Sequence, residues 1–121
     1  IGAQGPDVPT DSTGRATLVV AGLSARWMAE AAAREGYDVI ALDAFGDVDT
    51  RRAARHWQSI GRDDGPLGID PQRTLAALRA AAADPQVLGW VAGSGFEGQP
   101  ELLGRGAQAL PLIGTPAETV L

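Results

Sequence analysis

The sequence predicts an α/β domain: a three-layer, mainly parallel open sheet of about five strands with helices on both faces, Rossmann-like in kind. Three observations predict it. Short runs that are almost wholly apolar recur at residues 16–21, 38–43 and 87–92, as strands covered on both faces require. Segments with helical spacing alternate with them, which is the signature of parallel strands joined by crossover helices. Two of the runs also leave through glycine-containing turns, Ala21-Gly22-Leu23-Ser24 and Gly93-Ser94-Gly95-Phe96-Glu97.

In chain order, residues 1–15 are rich in Gly, Pro, Asp, Thr and Ser without periodicity, and read as an extended leader to a domain over 16–121. The first strand runs from Ala16 to Ala21. Ser24 is placed to cap an alanine-rich helix reaching Glu35, with Glu30 and Arg34 as an i,i+4 pair and Gly36 just past its end. A second strand follows from Asp38 to Asp43. Asp49 is expected to cap a brief helix through Thr50 to Ala54, and His56 to Ile60 forms a third strand. Arg62-Asp63-Asp64-Gly65-Pro66 is loop. Asp70-Pro71 opens a helix as N-cap and N1 proline, with Leu75, Leu78 and Ala82 on one face. A strand over 87–92, a short helix opened by Pro100 through Leu102 and Leu103, and a strand over 109–113 complete the alternation. Thr115-Pro116-Ala117-Glu118 has the form of a capping box. It announces a helix three residues before the sequence stops, so Leu121 is not expected to be the natural end of the encoded protein.

Composition excludes several chemistries. The 121 residues suffice for one domain with a core. There is no cysteine, hence no disulfide, thiolate metal site or cysteine nucleophile. All ten basic residues are arginine, so Schiff-base chemistry and the P-loop lysine are absent. The net charge of −5 argues against nucleic acid or an anionic membrane as partner. No apolar run has membrane-spanning length and no secretory signal is visible, which makes the cytoplasm the default location. His56 is the single histidine and reads as a structural residue beside Trp57. Trp27, Trp57 and Trp90 read as core or interface anchors.

Open parallel sheets bind ligands beyond the carboxyl ends of their strands, where strand order reverses. If the chain winds outward and then crosses back, the first and fourth strands become neighbours and their outgoing loops face one another. The candidate ligand-side residues are therefore Gly22, Ser24, Arg26, Gly93, Ser94, Gly95 and Glu97. Asp43, 21 residues after Gly22, occupies the place of the ribose-binding acid of dinucleotide sites. The first turn, however, holds one of the three glycines of that fingerprint. Asp43, Asp47 and Asp49 surround Phe45-Gly46, where magnesium is one reading and a capped helix with a solvated turn is the other. No catalytic or metal-ligating residue is assigned.

Leu18 to Arg26, the segment from Gly36 to Thr50 with its DAFGDVDT stretch, Gly89 to Glu97 with GSGFE, and Leu112-Ile113-Gly114-Thr115-Pro116 together resemble the start of ATP-grasp enzymes. They look most like a branch of predicted ATP-grasp proteins, some associated with methanopterin-type cofactor synthesis. The resemblance covers about Ala16 to Leu121. It implies a pre-ATP-grasp domain lining the substrate side of a cleft in a carboxylate–amine ligase and inactive alone. A small-molecule carboxylate would be its substrate. ATP and magnesium would belong to an ATP-grasp domain, in the same polypeptide or in a separate subunit, that this sequence lacks; the chain itself would bind no cofactor. Homo-oligomerisation is left open. The alternatives from the residues themselves are a nucleotide-binding Rossmann-type module and a non-catalytic interaction domain.

Overall fold

A computed structural model describes residues 15–63 and 68–114. Apart from Arg15, the expected leader lies outside the described residues, as do the turn at 64–67 and the capping box at 115–118. The elements are β1 (Thr17–Gly22), α1 (Arg26–Arg34), β2 (Asp38–Asp43), α2 (Val48–Ala53), β3 (His56–Ser59), α3 (Pro71–Ala82), β4 (Val87–Ala92), α4 (Pro100–Ala109) and β5 (Leu112–Gly114). The five strands form one parallel sheet in the order β3-β2-β1-β4-β5. The chain winds from the centre to β3, crosses back to lay β4 beside β1, and finishes at the β5 edge. This is the predicted architecture, and the condition under which β1 and β4 become neighbours is met.

The apolar runs are continuous because successive residues serve opposite faces. Val19, Ala21, Ile40 and Leu42 point into one core with α3 and α4, whereas Val20, Val39 and Ala41 point into the other with α1. The two cores differ in grain. On the α1 side, Ala25, Ala29 and Ala32 are buried against the sheet, and such small side chains let a helix lie close to it. On the α3–α4 side the space is filled by Trp90 and Phe96, edge to face with ring centroids 5.5 Å apart, together with Leu75, Leu78 and Leu102.

The helix ends follow their local chemistry. α1 stops where Gly36 N–H reaches Ala33 O and Tyr37 N–H reaches Ala32 O, both at 3.1 Å, a Schellman closure around the expected glycine. Asp70 accepts from the N–H groups of Gln72 and Arg73 at 2.9 and 3.1 Å and caps α3 as predicted.

Four local expectations are corrected. Glu30 pairs with Arg26, at 3.6 Å, rather than with Arg34. Asp47, not Asp49, caps α2, because its Oδ1 accepts from both N–H and Oγ1 of Thr50 at 2.8 and 2.9 Å. Ala81 rather than Ala82 completes the buried face of α3. α4 is a ten-residue helix that continues through Gly104 and Gly106, and this delays β5 to Leu112. Gly106 is tolerated within it because it seats the helix on Trp90: a Cβ there would lie 2.6 Å from the indole.

Candidate functional site

The carboxyl ends of β1 and β4 lie side by side, which puts the switch point of the sheet between Gly22 and Gly93. The two outgoing loops do more than face each other. Gly93 N–H donates to Ala21 O at 2.7 Å and Leu23 N–H to Ser94 O at 2.8 Å. A Cβ on Gly22 would stand 3.2 Å from Ser94 O, so glycine there permits contact between loops. The space above the strands is filled by the protein's own apolar groups. Phe96 is fully buried, and Gly95 adopts a left-handed φ of +100° that brings its Cα over Leu23 and Ile69. A Cβ at Gly95 would lie 2.7 Å from Leu23 Cγ and 2.8 Å from Ile69 Cδ1. Met28 packs against Gly93 in the same way.

Asp43 closes the remaining approach. It is completely buried. Oδ2 accepts from Ala25 N–H at 3.1 Å, while Oδ1 accepts from Gly46 N–H at 2.9 Å and from the Trp57 indole N–H at 2.7 Å. The start of α1 is where an external anion would be held in this class of fold. Here a carboxylate of the chain sits at that position. Ser24, the expected cap of α1, makes no capping hydrogen bond and is exposed, because Asp43 serves the adjacent Ala25 N–H from across the sheet.

The other expected residues lie on the outside of this junction. Ser94 and Glu97 are exposed, and Glu97 accepts from Gly95 N–H at 2.8 Å, bracing its own loop. Arg26 bridges Glu30 and Asp49, at 3.6 and 3.3 Å, and so joins the starts of α1 and α2. Asp43, Asp47 and Asp49 do not converge: the first is buried in the junction, the second caps α2, and the third meets Arg26. Among the described residues no three carboxylate or imidazole side chains gather in metal-binding fashion. The Thr50 N–H, then its hydroxyl, hold the Asp47 carboxyl below the ordinary value of 3.8.

Sequence reasoning read Trp27 as a core or interface anchor and passed over Phe45 and Val48. Trp27 is 83% exposed, Phe45 55% and Val48 61%. Trp27 and Val48 are chain neighbours of Arg26 and Asp49, whose ion pair ties them together. Phe45 adjoins Gly46, which shares the Asp43 carboxylate with Ala25. All three exposed side chains thus stand at or next to the starts of α1 and α2, at the carboxyl end of the sheet. A signal was available in Phe45 and Val48, which stand in a turn and at a helix start where burial is not expected. Trp57 was also undervalued: Arg51 stacks on its ring at 4.4 Å while its N–H holds Asp43.

Fold and junction define the class: a doubly wound parallel α/β domain whose switch point is closed by its own side chains. Comparison with known proteins places it no more narrowly. No family model and no curated protein matches the sequence. A solved structure, the C-terminal domain of a hydrogenase from Pyrococcus furiosus, is similar in fold, with a TM-score of 0.62 and 14% identity over 93% of this chain and 98% of that one. At that identity the likeness speaks for the fold alone.

The resemblance to ATP-grasp enzymes is therefore corrected. The matching structure is not such an enzyme, and no family model supports the assignment. The stretches that carried it have local explanations. In GSGFE, Gly95 and Glu97 build a turn closed by their own hydrogen bond, and Phe96 fills the core. In DAFGDVDT, Asp43 and Asp47 cap two helix starts. Turn-and-cap chemistry of this kind suits any doubly wound domain. Among the described residues no helix is long and apolar enough to cross a membrane.

Proposed function

We propose that this chain is a non-catalytic interaction domain whose docking face is the apolar patch of Trp27, Phe45 and Val48. The observation that carries the reading is the 83% exposure of Trp27 at the start of α1, with Phe45 and Val48 also exposed next to the start of α2. An exposed patch of this kind rimmed by polar residues marks interaction surfaces, and tryptophan is enriched among the residues that dominate binding energy. The state of the switch point supports the same reading. Asp43, Glu97 and Arg26, the groups best suited to meet a ligand, are already engaged by the chain. This weighs against the nucleotide-binding alternative, whose phosphates would need the start of α1 that Asp43 holds.

The occupant is a second copy of the same face. The face carries charges of both signs, Arg26 with its partners Glu30 and Asp49. A two-fold axis through it brings the cation of each copy towards a carboxylate of the other, so the face is complementary to itself. A uniformly acidic face on a chain of net charge −5 would repel its copy. Sedimentation velocity over a rising protein concentration tests the reading. The expected result is a monomer–dimer equilibrium that Trp27→Ser weakens by about tenfold or more. Because Trp27 touches solvent over most of its surface, that change leaves the fold intact. A chain that stays monomeric up to millimolar concentration, or a dimer indifferent to Trp27→Ser, contradicts the reading.

A further inference from the structure

The opposite side of the molecule carries a second feature that the reading above does not use. α3 and α4 lie next to each other on the other face of the sheet, and a groove runs between them. Its end near the helix starts, about 410 Å³, is lined by Pro71, Leu75, Gln99, Pro100 and Leu102 together with Glu101 and Arg105. Its continuation, about 390 Å³, is lined by Arg79, Arg105, Gln108 and Ala109. Arg105 lines both, so the two concavities adjoin at its side chain and make a furrow with an apolar end and a cationic end.

We propose that this furrow binds a small amphipathic organic anion, a carboxylate or phosphate monoester with an apolar tail. The head would lie between the guanidinium groups of Arg79 and Arg105, and the tail along Pro71, Leu75 and Leu102. Charge complementarity carries the inference. Arg26, Arg55 and Arg73 are tied to carboxylates and Arg51 lies over an indole, whereas Arg79 and Arg105 line one concavity from two different helices. Neither forms an ion pair, hydrogen bond or ring contact among the described residues. In a chain with 15 acidic and 10 basic residues, no carboxylate lines the cationic end. Glu101, one turn before Arg105, lies at the apolar end and makes no ion pair with it. Guanidinium groups present planar forks of N–H donors that match both carboxylate and phosphate oxygens, and Gln108 adds an amide to the same wall. A ligand of this class needs one apolar wall and a few convergent polar groups, and the furrow provides both.

The test is a nuclear magnetic resonance titration of the ¹⁵N-labelled chain with octanoate and with octyl phosphate, each below its micelle concentration. Octanol and inorganic phosphate serve as controls. The expected result is saturable shifts of α3 and α4 amides with one or both amphipathic anions. Which anion binds more tightly distinguishes a carboxylate site from a phosphate site. The Arg79→Gln/Arg105→Gln variant keeps the amide spectrum of the free protein, since both side chains are exposed, and loses about tenfold in affinity. Three results overturn the proposal: octanol shifting the same amides with equal affinity, inorganic phosphate binding as tightly as octyl phosphate, or the double variant binding as the parent does.

Discussion

At the scale of single residues, Asp43 joins three separate segments through one buried side chain. Its carboxylate ties β2 to the start of α1, to the turn before α2 and to the indole of β3. The sequence made its position legible, at the end of the second strand, but not its role. A ribose-binding acid and a buried cap occupy the same place in a strand–turn–helix unit, and only the partners distinguish them. Those partners, Ala25, Gly46 and Trp57, are 18, 3 and 14 residues away, and spacing along the chain does not encode such convergence. Removing the carboxylate strands three donors, one of them in the interior. Asp43→Ala is therefore expected to destabilise the fold by about 3 kcal/mol, given about 1–3 kcal/mol for an unsatisfied buried polar group. Chemical denaturation with the far-ultraviolet circular dichroism signal measures this. A loss under about 1 kcal/mol would mean that water replaces the carboxylate without penalty.

At the scale of elements, strands β2 and β4 were legible to the residue, since continuous apolar runs bounded by turn residues leave little choice of boundary. Helix ends were legible where a cap is local, as at Asp70 and Gly36. They were misread where tertiary contacts decide: Ser24 yields its capping role to Asp43, and α4 outlasts its two glycines because Trp90 lies beneath it. That last contact reverses a general rule. Gly→Ala in an exposed helix stabilises by about 1 kcal/mol, whereas overpacking a filled core costs about 1–3 kcal/mol. With a Cβ at Gly106 only 2.6 Å from Trp90 Cζ2 and 3.0 Å from Leu78 Cδ1, the second effect wins. Gly106→Ala is expected to lower the melting temperature, while Gly104→Ala, where a Cβ meets nothing within 4 Å, raises it. Equal shifts for the two would show that α4 does not rest on Trp90.

The cap of α2 gives a pH dependence at the same scale. Asp47 titrates below its ordinary value in the folded chain. A lowered native pKa means that the unfolded state binds the proton more readily, so the stabilisation is present above pH 3.8 and is lost as pH falls through the native value. The amide resonance of Thr50 is expected to move with the Asp47 carboxyl carbon in one titration, with its midpoint below that of a model aspartate. A midpoint at or above the model value contradicts the cap.

At the scale of the whole molecule, the sequence conveyed the layered α/β architecture, which follows from alternation. The return crossover that makes β1 and β4 neighbours entered it only as a condition, because alternation does not say where the chain turns back, and the structure meets that condition. The sequence did not convey whether the crevice at their ends is open. That depends on Leu23, Ile69 and Phe96 meeting above the strands, and they come from three separate loops. The same closure turns attention from the switch point to the exposed patch beside it. Trp27 is an interface anchor in this account, Trp90 a core anchor, and Trp57 a positioning group for Asp43; composition alone does not separate the three.

The most direct test of the account is a mixture of isotope-labelled and unlabelled chains observed through filtered nuclear Overhauser effects between copies. Intermolecular contacts from the Trp27 ring to Phe45 and Val48 of the second copy are the predicted result. Their absence at concentrations where dimer is present, or contacts confined to α3 and α4, would contradict the claim that the α1–α2 face is the docking surface.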